Sequence, residues 1–234
     1  MAETAGWRPS PTAVPRSVRL VGQRLLSPRP LTVQGSLTLT GANQYAGLTS
    51  IGDSVNAGSG KLVVANTTGS ATGSGEVRVQ RGGTLAGSGF IAGPVTLLDG
   101  GIIAPVDPVT LTLHDSLAWD GGGIVRLVLG ADSAGSDHLR VGTLIRGAEG
   151  PFMFDLVDFG ITAGAEYELL SFDAMTGFAA SDFQAIGLDG TFAFHQGRLA
   201  FTASVAVPAV PEPSTYALLL VGPVMIRCAR KSGR

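Results

Sequence analysis

Short alternating strands that end in glycine constrain this chain more than any other feature of its sequence. In Gly35–Thr40, Leu37 and Leu39 alternate with serine and threonine, which is the period of a half-buried β-strand. Further short strands are predicted at Lys61–Ala65, Gly75–Val79, Gly83–Gly89, Gly93–Leu98 and Gly101–Pro105. No helical period occurs between them, and 34 of the 234 residues are glycine, about twice the average share. We therefore expect an all-β chain with many turns.

The regular spacing of these strands predicts a β-solenoid. In such a coil each rung hydrogen-bonds to the next, and inward Leu, Ile and Val side chains form a continuous core. Gly41, Asn43 and Gly47 follow the first strand, and these residue types tolerate positive φ at turns. Asn66 is predicted at the turn after the strand Lys61–Ala65.

The first unit also resembles a known repeat, the autotransporter-associated β-strand repeat. The matching positions are Gly35, Leu37, Leu39, Gly41, Asn43, Tyr45, Gly47, Thr49 and Ile51. The segment that follows the repeat in that family is similar to Gly73–Gly75, Gly82–Gly89 and Gly93–Thr96. The resemblance covers about residues 31–113 and implies a right-handed parallel β-helix. Two departures are the extra residues in Gly52–Gly60 and the dipeptide Pro105-Val106, where the family has Pro-Gly.

Beyond Asp132 the spacing loosens, although strand candidates continue. They are His138–Ile145, Phe152–Val157, Tyr167–Phe172, Thr191–Phe194 and Arg198–Ala203. Gln196-Gly197 fits a tight turn, so the last two strands are predicted to form a β-hairpin. The apolar face of that hairpin is expected to close the end of the solenoid, because an exposed strand edge invites aggregation.

The C-terminal residues resemble the PEP-CTERM sorting signal of Gram-negative bacteria. The motif is Val210, Pro211, Glu212, Pro213, Ser214 and Thr215; the hydrophobic segment includes Tyr216, Leu218, Leu219, Leu220, Val221, Val224 and Ile226; the basic tail has Arg227, Arg230, Lys231 and Arg234. Prolines keep such a motif extended, and basic residues beside an apolar run stay on the cytoplasmic side of a membrane. The resemblance implies cleavage by a membrane exosortase, transient anchoring in the inner membrane, and export to the cell surface or extracellular matrix.

The hydrophobic segment is shorter than a membrane-spanning helix. Tyr216–Ile226 has 11 residues and includes Pro223, whereas a bilayer requires about 20 apolar residues. The alternative is a C-terminal tail that packs on the domain. Residues 1–30 contain five arginines and five prolines but no apolar stretch typical of a secretory signal. We therefore expect a disordered N-terminal tail, in a chain that is a fragment or begins at a wrongly chosen start and lacks its signal peptide and upstream repeats. The alternative is a pseudogene-like remnant.

Charge and cysteine content exclude other classes of function. Residues 31–206 contain seven basic and 16 acidic residues, a net charge of −9. This balance argues against nucleic acid as a partner, because binding phosphates requires a basic surface. Cys228 is the only cysteine of the chain, so neither an intrachain disulfide nor a cysteine-based metal site is expected.

Candidate metal-binding residues are few. Asp137 and His138 lie near Asp132, but no second histidine falls at a chelating spacing, so a solvated turn is predicted there. His195 is predicted at a turn and His114 on the surface of a strand. We expect neither a metal nor another cofactor.

Acid pairs are the remaining candidates for chemistry. Asp155 with Asp158, or Glu166 with Glu168, is the basis for an alternative reading as a polysaccharide-acting β-helix enzyme. Glu166 and Glu168 are interpreted instead as exposed solubilising residues of one strand face. Asn66-Thr-Thr matches a glycosylation triplet, which carries little weight in a bacterium.

The sequence thus predicts four regions and a non-enzymatic function. They are a disordered tail at 1–30, a β-solenoid at 31–130, a β-rich cap at 131–205 and the sorting signal at 206–234. The predicted protein is an exported structural or adhesion protein of the cell surface, with exopolysaccharide as a further candidate partner. A fragment of an autotransporter passenger domain is a second alternative to this interpretation.

Overall fold

The computed structural model describes residues 18–20, 30–53, 59–106 and 110–204. These residues form β-strands and two single-turn 3₁₀ helices, Ser133–Gly135 and Ala180–Asp182, with no α-helix among them. The strands are β1 Val18–Leu20, β2 Leu31–Val33, β3 Gly35–Leu39, β4 Thr49–Ile51, β5 Gly60–Val64, β6 Val77–Val79, β7 Gly83–Gly87, β8 Phe90–Ile91, β9 Val95–Leu97, β10 Ile102–Pro105, β11 Thr110–Trp119, β12 Ile124–Leu129, β13 His138–Arg146, β14 Phe152–Asp158, β15 Glu166–Thr176, β16 Phe183–Ile186, β17 Gly190–His195 and β18 Arg198–Ala203. The all-β prediction is confirmed.

The strands belong to two long, mostly parallel sheets. Sheet A has the order β1-β3-β5-β7-β10-β12-β14-β16, and sheet B has the order β17-β18-β15-β13-β11-β9-β6-β4-β2, with β8 also paired to β11. The chain passes from one sheet to the other at nearly every connection. One strand of sheet A together with the next strand of sheet B is here called a coil, and the parallel strands pair with the equivalent strands of the next coil. This topology is compatible with a β-helix-like fold. The parallel pairing crosses residue 130 without a break and continues to β16.

The core consists of apolar residues stacked in register inside the two sheets. In sheet A, Leu62 pairs with Leu85, and in sheet B, Val79 pairs with Leu97. All four side chains are fully buried. Burial of a Leu or Val side chain contributes about 1.5–3 kcal/mol relative to exposure. Because every coil contributes such residues from both sheets, the core runs continuously along the stack.

Aromatic rings fill the C-terminal part of the core. The ring of Trp119 lies 5.3 Å from that of Phe154, and Phe152 lies 4.9 Å from Phe178. Phe178 stacks on Phe183 at 5.2 Å. Edge-to-face and stacked pairs of this kind add about 0.5–1.5 kcal/mol beyond their buried area. Large rings thus close the interior where the stack of parallel strands ends.

The predicted terminal hairpin is confirmed. β17 and β18 are antiparallel and joined by Gln196-Gly197, and β18 pairs antiparallel with β15. Phe192 and Phe194 each lie 5.9 Å from Phe183, so the hairpin packs its apolar face on the end of the core. Sheet A receives no such cover: β16 is its last strand within the described part of the chain.

Several strand predictions need correction. Val18–Leu20, inside the tail predicted to be disordered, forms β1 and pairs in parallel with β3. The strand predicted at Tyr167–Phe172 is longer, running from Glu166 to Thr176, and β16 had no predicted counterpart. Gly41 and Gly47 do not have positive φ, so their expected role as left-handed turn residues is wrong.

Glycine is required at the corners because successive coils come very close there. Gly35, Gly60 and Gly83 are in register at the start of their sheet A strands. A Cβ atom on Gly60 would lie less than 3.0 Å from the carbonyl oxygen of Val33, and one on Gly83 equally close to that of Ile51. Neither glycine has positive φ. Glycine is therefore required at these positions because the neighbouring backbone lies so close, and not because the residue adopts a left-handed conformation.

Gly83→Ala should therefore destabilise the fold. The added methyl group meets a backbone carbonyl that cannot rotate away, and we expect a loss of about 1–3 kcal/mol in the free energy of unfolding. Gly135→Ala is the matched control, because the nearest heavy atom to its Cβ position is 3.5 Å away. Urea denaturation of both variants measures the difference; equal stabilities would contradict the close-approach explanation.

Candidate functional site

The predicted sorting residues lie outside the described part of the chain. This applies to the motif Val210–Thr215, the hydrophobic segment Tyr216–Ile226 and the basic residues from Arg227 to Arg234. Within the part that the structure describes, no helix has the length and hydrophobicity needed to cross a membrane. The sorting signal thus stays a prediction from sequence.

Five side chains lie in a continuous series of close contacts on the outer face of sheet B, here called the sheet B ion network. They are His138 on β13, Glu166 and Glu168 on β15, His195 on β17 and Arg198 on β18. His138 Nε2 lies 3.2 Å from Glu168 Oε1, and His195 Nε2 lies 3.2 Å from Glu166 Oε2. Arg198 bridges the glutamates, 3.3 Å from Glu168 Oε2 and 3.6 Å from Glu166 Oε1.

Strand register brings these residues together. Glu168 stands opposite Ala200 in the antiparallel pair of β15 and β18, and Ala200 is buried. The small alanine leaves space for Arg198, two residues away on β18, to reach Glu168 diagonally across the strands. His195 is paired with Arg198 across the hairpin, so the two side chains lie next to each other. The network therefore fastens the hairpin to the parallel part of sheet B.

Each of the four carboxylate oxygens of the network lies within 3.6 Å of a nitrogen atom of Arg198 or of a histidine. Each glutamate contacts Arg198 with one oxygen and a histidine with the other. A glycosidase needs one carboxyl group as a proton donor and a second as nucleophile or base at the substrate. Here both groups contact protein cations instead. Glu166 is exposed and Glu168 half-buried on one face of β15, as predicted, and the two glutamates also contact residues of three other strands, β13, β17 and β18.

The solvated turn predicted at Asp137 and His138 is also wrong. Asp137 is only 1% exposed; its Oδ2 accepts a hydrogen bond from Val128 N at 2.9 Å, and its N–H donates to Val128 O at 2.8 Å. His138 begins β13 and is half-buried, with Nδ1 3.4 Å from Thr110 Oγ1. Within the described ranges, no group of three or more His, Cys, Asp or Glu side chains is arranged to hold a metal ion.

The other two histidines lie close to where the sequence places them. His114 is an exposed residue of β11, as predicted, and its ring stacks on Phe90 at 5.6 Å. His195 is the last residue of β17, directly before the predicted turn. His195 belongs to the network because it contacts Glu166 on β15. The residues next to His195 in the sequence do not predict this contact.

Asn66 is a buried clamp between coils. Its Nδ2 donates to the carbonyl oxygens of Thr68, Gly69 and Phe90 at 3.1–3.2 Å, and its Oδ1 accepts from Phe90 N at 3.0 Å. The side chain is 3% exposed, so the glycosylation triplet is inaccessible in the folded chain. Asn43 has a related role: it is buried, and its Nδ2 donates to Ala71 O at 2.6 Å.

A scan against protein-family models found no match, and neither did a search of curated proteins. The likeness to the autotransporter-associated repeat and to the PEP-CTERM signal therefore remains a resemblance of motifs.

Acidification should destabilise the fold through His138. Burial lowers the pKa of its imidazole, and the nearby Glu168 carboxylate opposes this shift only in part. The unfolded chain takes up the proton near pH 6.5, whereas the folded chain takes it up only at a lower pH. The unfolded state thus binds more protons in that window. The free energy of unfolding should fall as the pH drops below about 6.5 and level off once the pH is below the folded pKa.

Urea titrations of the wild type and His138→Gln between about pH 7.5 and pH 5 test this effect. The variant should show a flatter dependence of stability on pH in that window. His114→Gln is the control for removing a histidine elsewhere on the same sheet. An identical pH dependence in the wild type and His138→Gln would contradict the assignment to His138.

Asn66→Ala should weaken the contact between coils. It leaves the Phe90 N–H without its side-chain acceptor, at a cost of about 1–3 kcal/mol for an unsatisfied group, whereas the Phe90 carbonyl keeps its hydrogen bond from Ala71 N. Thr67→Ala alters the exposed neighbouring residue and should change stability by less than about 0.5 kcal/mol. Thermal or urea unfolding measures both. Equal effects would show that the Asn66 hydrogen bonds contribute nothing specific.

Proposed function

We propose that this chain is a non-enzymatic, exported structural or adhesion protein of the Gram-negative cell surface or extracellular matrix. Its scaffold is a right-handed parallel β-solenoid, and exosortase processes its C-terminus. Membrane anchoring is transient, through the segment 216–226, and exopolysaccharide of the matrix is a candidate partner.

One observation carries the proposal: the parallel ladders of both sheets run through coil after coil in register. On the outer face of sheet B, Thr32 pairs with Ser50, Ser50 with Arg78, and Arg78 with Thr96. A stack of this kind presents rows of side chains about 4.8 Å apart along an extended surface. Extended repetitive surfaces are what solenoid proteins use for binding and for structural support.

The position of the motif supports C-terminal processing. The last strand, β18, ends at Ala203, before the motif Val210–Thr215 begins in the sequence. Cleavage near Pro211-Glu-Pro213 would leave every described strand in place. A cleavable signal is expected to follow the last strand in the sequence, because a protease needs an accessible, extended backbone.

The enzymatic alternative is less well supported. Its best candidates, Glu166 and Glu168, are engaged by Arg198 and two histidines. The other acid pair is similarly occupied: Asp155 is paired with Arg126 at 2.7 Å, and Asp158 Oδ1 accepts hydrogen bonds from the backbone N–H groups of Gly160 and Ile161. Those two hydrogen bonds lower the pKa of Asp158, which makes it a poor proton donor.

Replacement of Pro211-Glu-Pro213 by three alanines tests the sorting proposal. In a host with an exosortase, the wild type should lose its C-terminal segment, whereas the triple variant should keep it. Intact-mass spectrometry of the product measures the difference. Pro208→Ala is the matched control, because it removes a nearby proline and leaves the motif intact. Equal masses for the wild-type and triple-variant products would contradict the proposal.

A further inference from the structure

The two sheets present very different outer faces. Sheet B carries the ion network, whereas the outward residues of β10, β12 and β14 in sheet A are mostly apolar. Ile102, Ile124 and Met153 form one outward row, in register across β10, β12 and β14. Their inward neighbours Ile103, Val125 and Phe154 are fully buried, which fixes the outward direction of the row.

Exposed apolar residues concentrate on the same side. Five large hydrophobic residues of the described chain are exposed: Val106, Ile145, Val157, Phe159 and Ile186. Val157 and Ile186 belong to strands of sheet A, and Val106 and Phe159 directly follow strands of that sheet. Ile145 alone lies on sheet B. Exposed apolar residues grouped on one face are typical of an interaction site.

The centre of this face is self-complementary. β12 and β14 present three outward pairs in register: Ile124 with Met153, Arg126 with Asp155, and Val128 with Val157. The middle pair is an ion pair of 2.7 Å, and both flanking pairs are apolar. Rotation by 180° about an axis that runs along the strands between β12 and β14 exchanges the members of each pair. Across β12 and β14, a second copy placed by this rotation sets apolar residues against apolar residues and Arg126 against Asp155; on the flanking strands, Gln184 of one copy meets Ile102 of the other.

We propose that the outer face of sheet A is a self-association surface, on which a second copy of this chain packs about that two-fold axis. Met153 of the second copy then covers Ile124, Asp155 faces Arg126, and Val157 covers Val128. Charge complementarity selects this occupant, because the alternating apolar, charged and apolar rows match their own rotated image. Sheet-on-sheet packing of this kind, at about 10 Å separation, is common between β-sheets. The inference does not depend on the sorting signal.

The expected dimer is weak. Four strands at about 4.8 Å spacing, with three outward rows about 7 Å apart, give a contact of roughly 400 Å² per copy. Stable complexes bury about 800 Å² per partner, so we expect a reversible dimer with a dissociation constant in the micromolar range or above. Many copies held at one surface would still associate, because a high local concentration compensates for weak individual contacts.

Sedimentation velocity of the full chain, from about 1 to about 300 µM, tests the proposal. The wild type should show a concentration-dependent monomer–dimer equilibrium. Ile124→Lys should raise the dissociation constant at least about tenfold, because it buries a charge in the interface. Ile145→Lys makes the same change on the outer face of sheet B and should leave the equilibrium unchanged. Circular dichroism verifies that both variants are folded.

A charge exchange tests the position of the axis. Arg126→Glu or Asp155→Arg alone places like charges opposite each other and should weaken the dimer. The double variant restores opposite charges within and between copies, so it should recover the wild-type dissociation constant. A wild type that stays monomeric throughout, equal effects of Ile124→Lys and Ile145→Lys, or no recovery in the double variant would overturn the proposal. Binding of monomers to phosphatidylcholine vesicles, abolished by Ile124→Lys, would assign the face to a lipid surface instead.

Discussion

The close approach of backbone to backbone at the corners of successive coils is the constraint on which the rest of this structure depends. Parallel strands of neighbouring coils lie about 4.8 Å apart, and where the chain turns between sheets there is no space for a side chain. A Cβ on Gly73 would collide with Tyr45 O, and one on Gly93 with Gly75 O. The high glycine content therefore reflects a geometric requirement. Because the corners can close, strands such as β5 and β7 stay in register and their leucines stack.

Core composition changes along the stack for a related reason. Each parallel coil is covered by its neighbours, so Leu, Val and Ile of similar size suffice there. Where the parallel strands stop in the described part of the chain, Trp119, Phe152, Phe154 and Phe183 fill the interior with larger rings. The hairpin then adds Phe192 to this cluster and contacts β15 through the sheet B ion network. A chain with only 6% aromatic residues thus places many of them where the repeat stops.

How much the sequence could predict depends on how far apart the interacting residues lie along the chain. Alternation of Leu37 and Leu39, and the dipeptide Gln196-Gly197, are local signals, and they gave the first strands and the terminal hairpin correctly. The ion network depends on how β15 and β18 align, which no local pattern contains. The sequence predicts Asn66 at a turn. Its hydrogen-bond partner Phe90 is 24 residues away, so no local pattern predicts that Asn66 joins two coils. The sorting signal is a matter of motif alone, and no described residue bears on it.

The difference between the outer faces separates contacts within a copy from contacts between copies. On sheet B, Glu166 and Glu168 have all their oxygens engaged by residues of the same chain, so the charges there stabilise the hairpin. On sheet A, Arg126 and Asp155 form an isolated pair between apolar rows that nothing described covers. Association through sheet A would bury those rows and leave sheet B of both copies accessible. A surface protein built in this way would hold its copies together with one face and present the other outward.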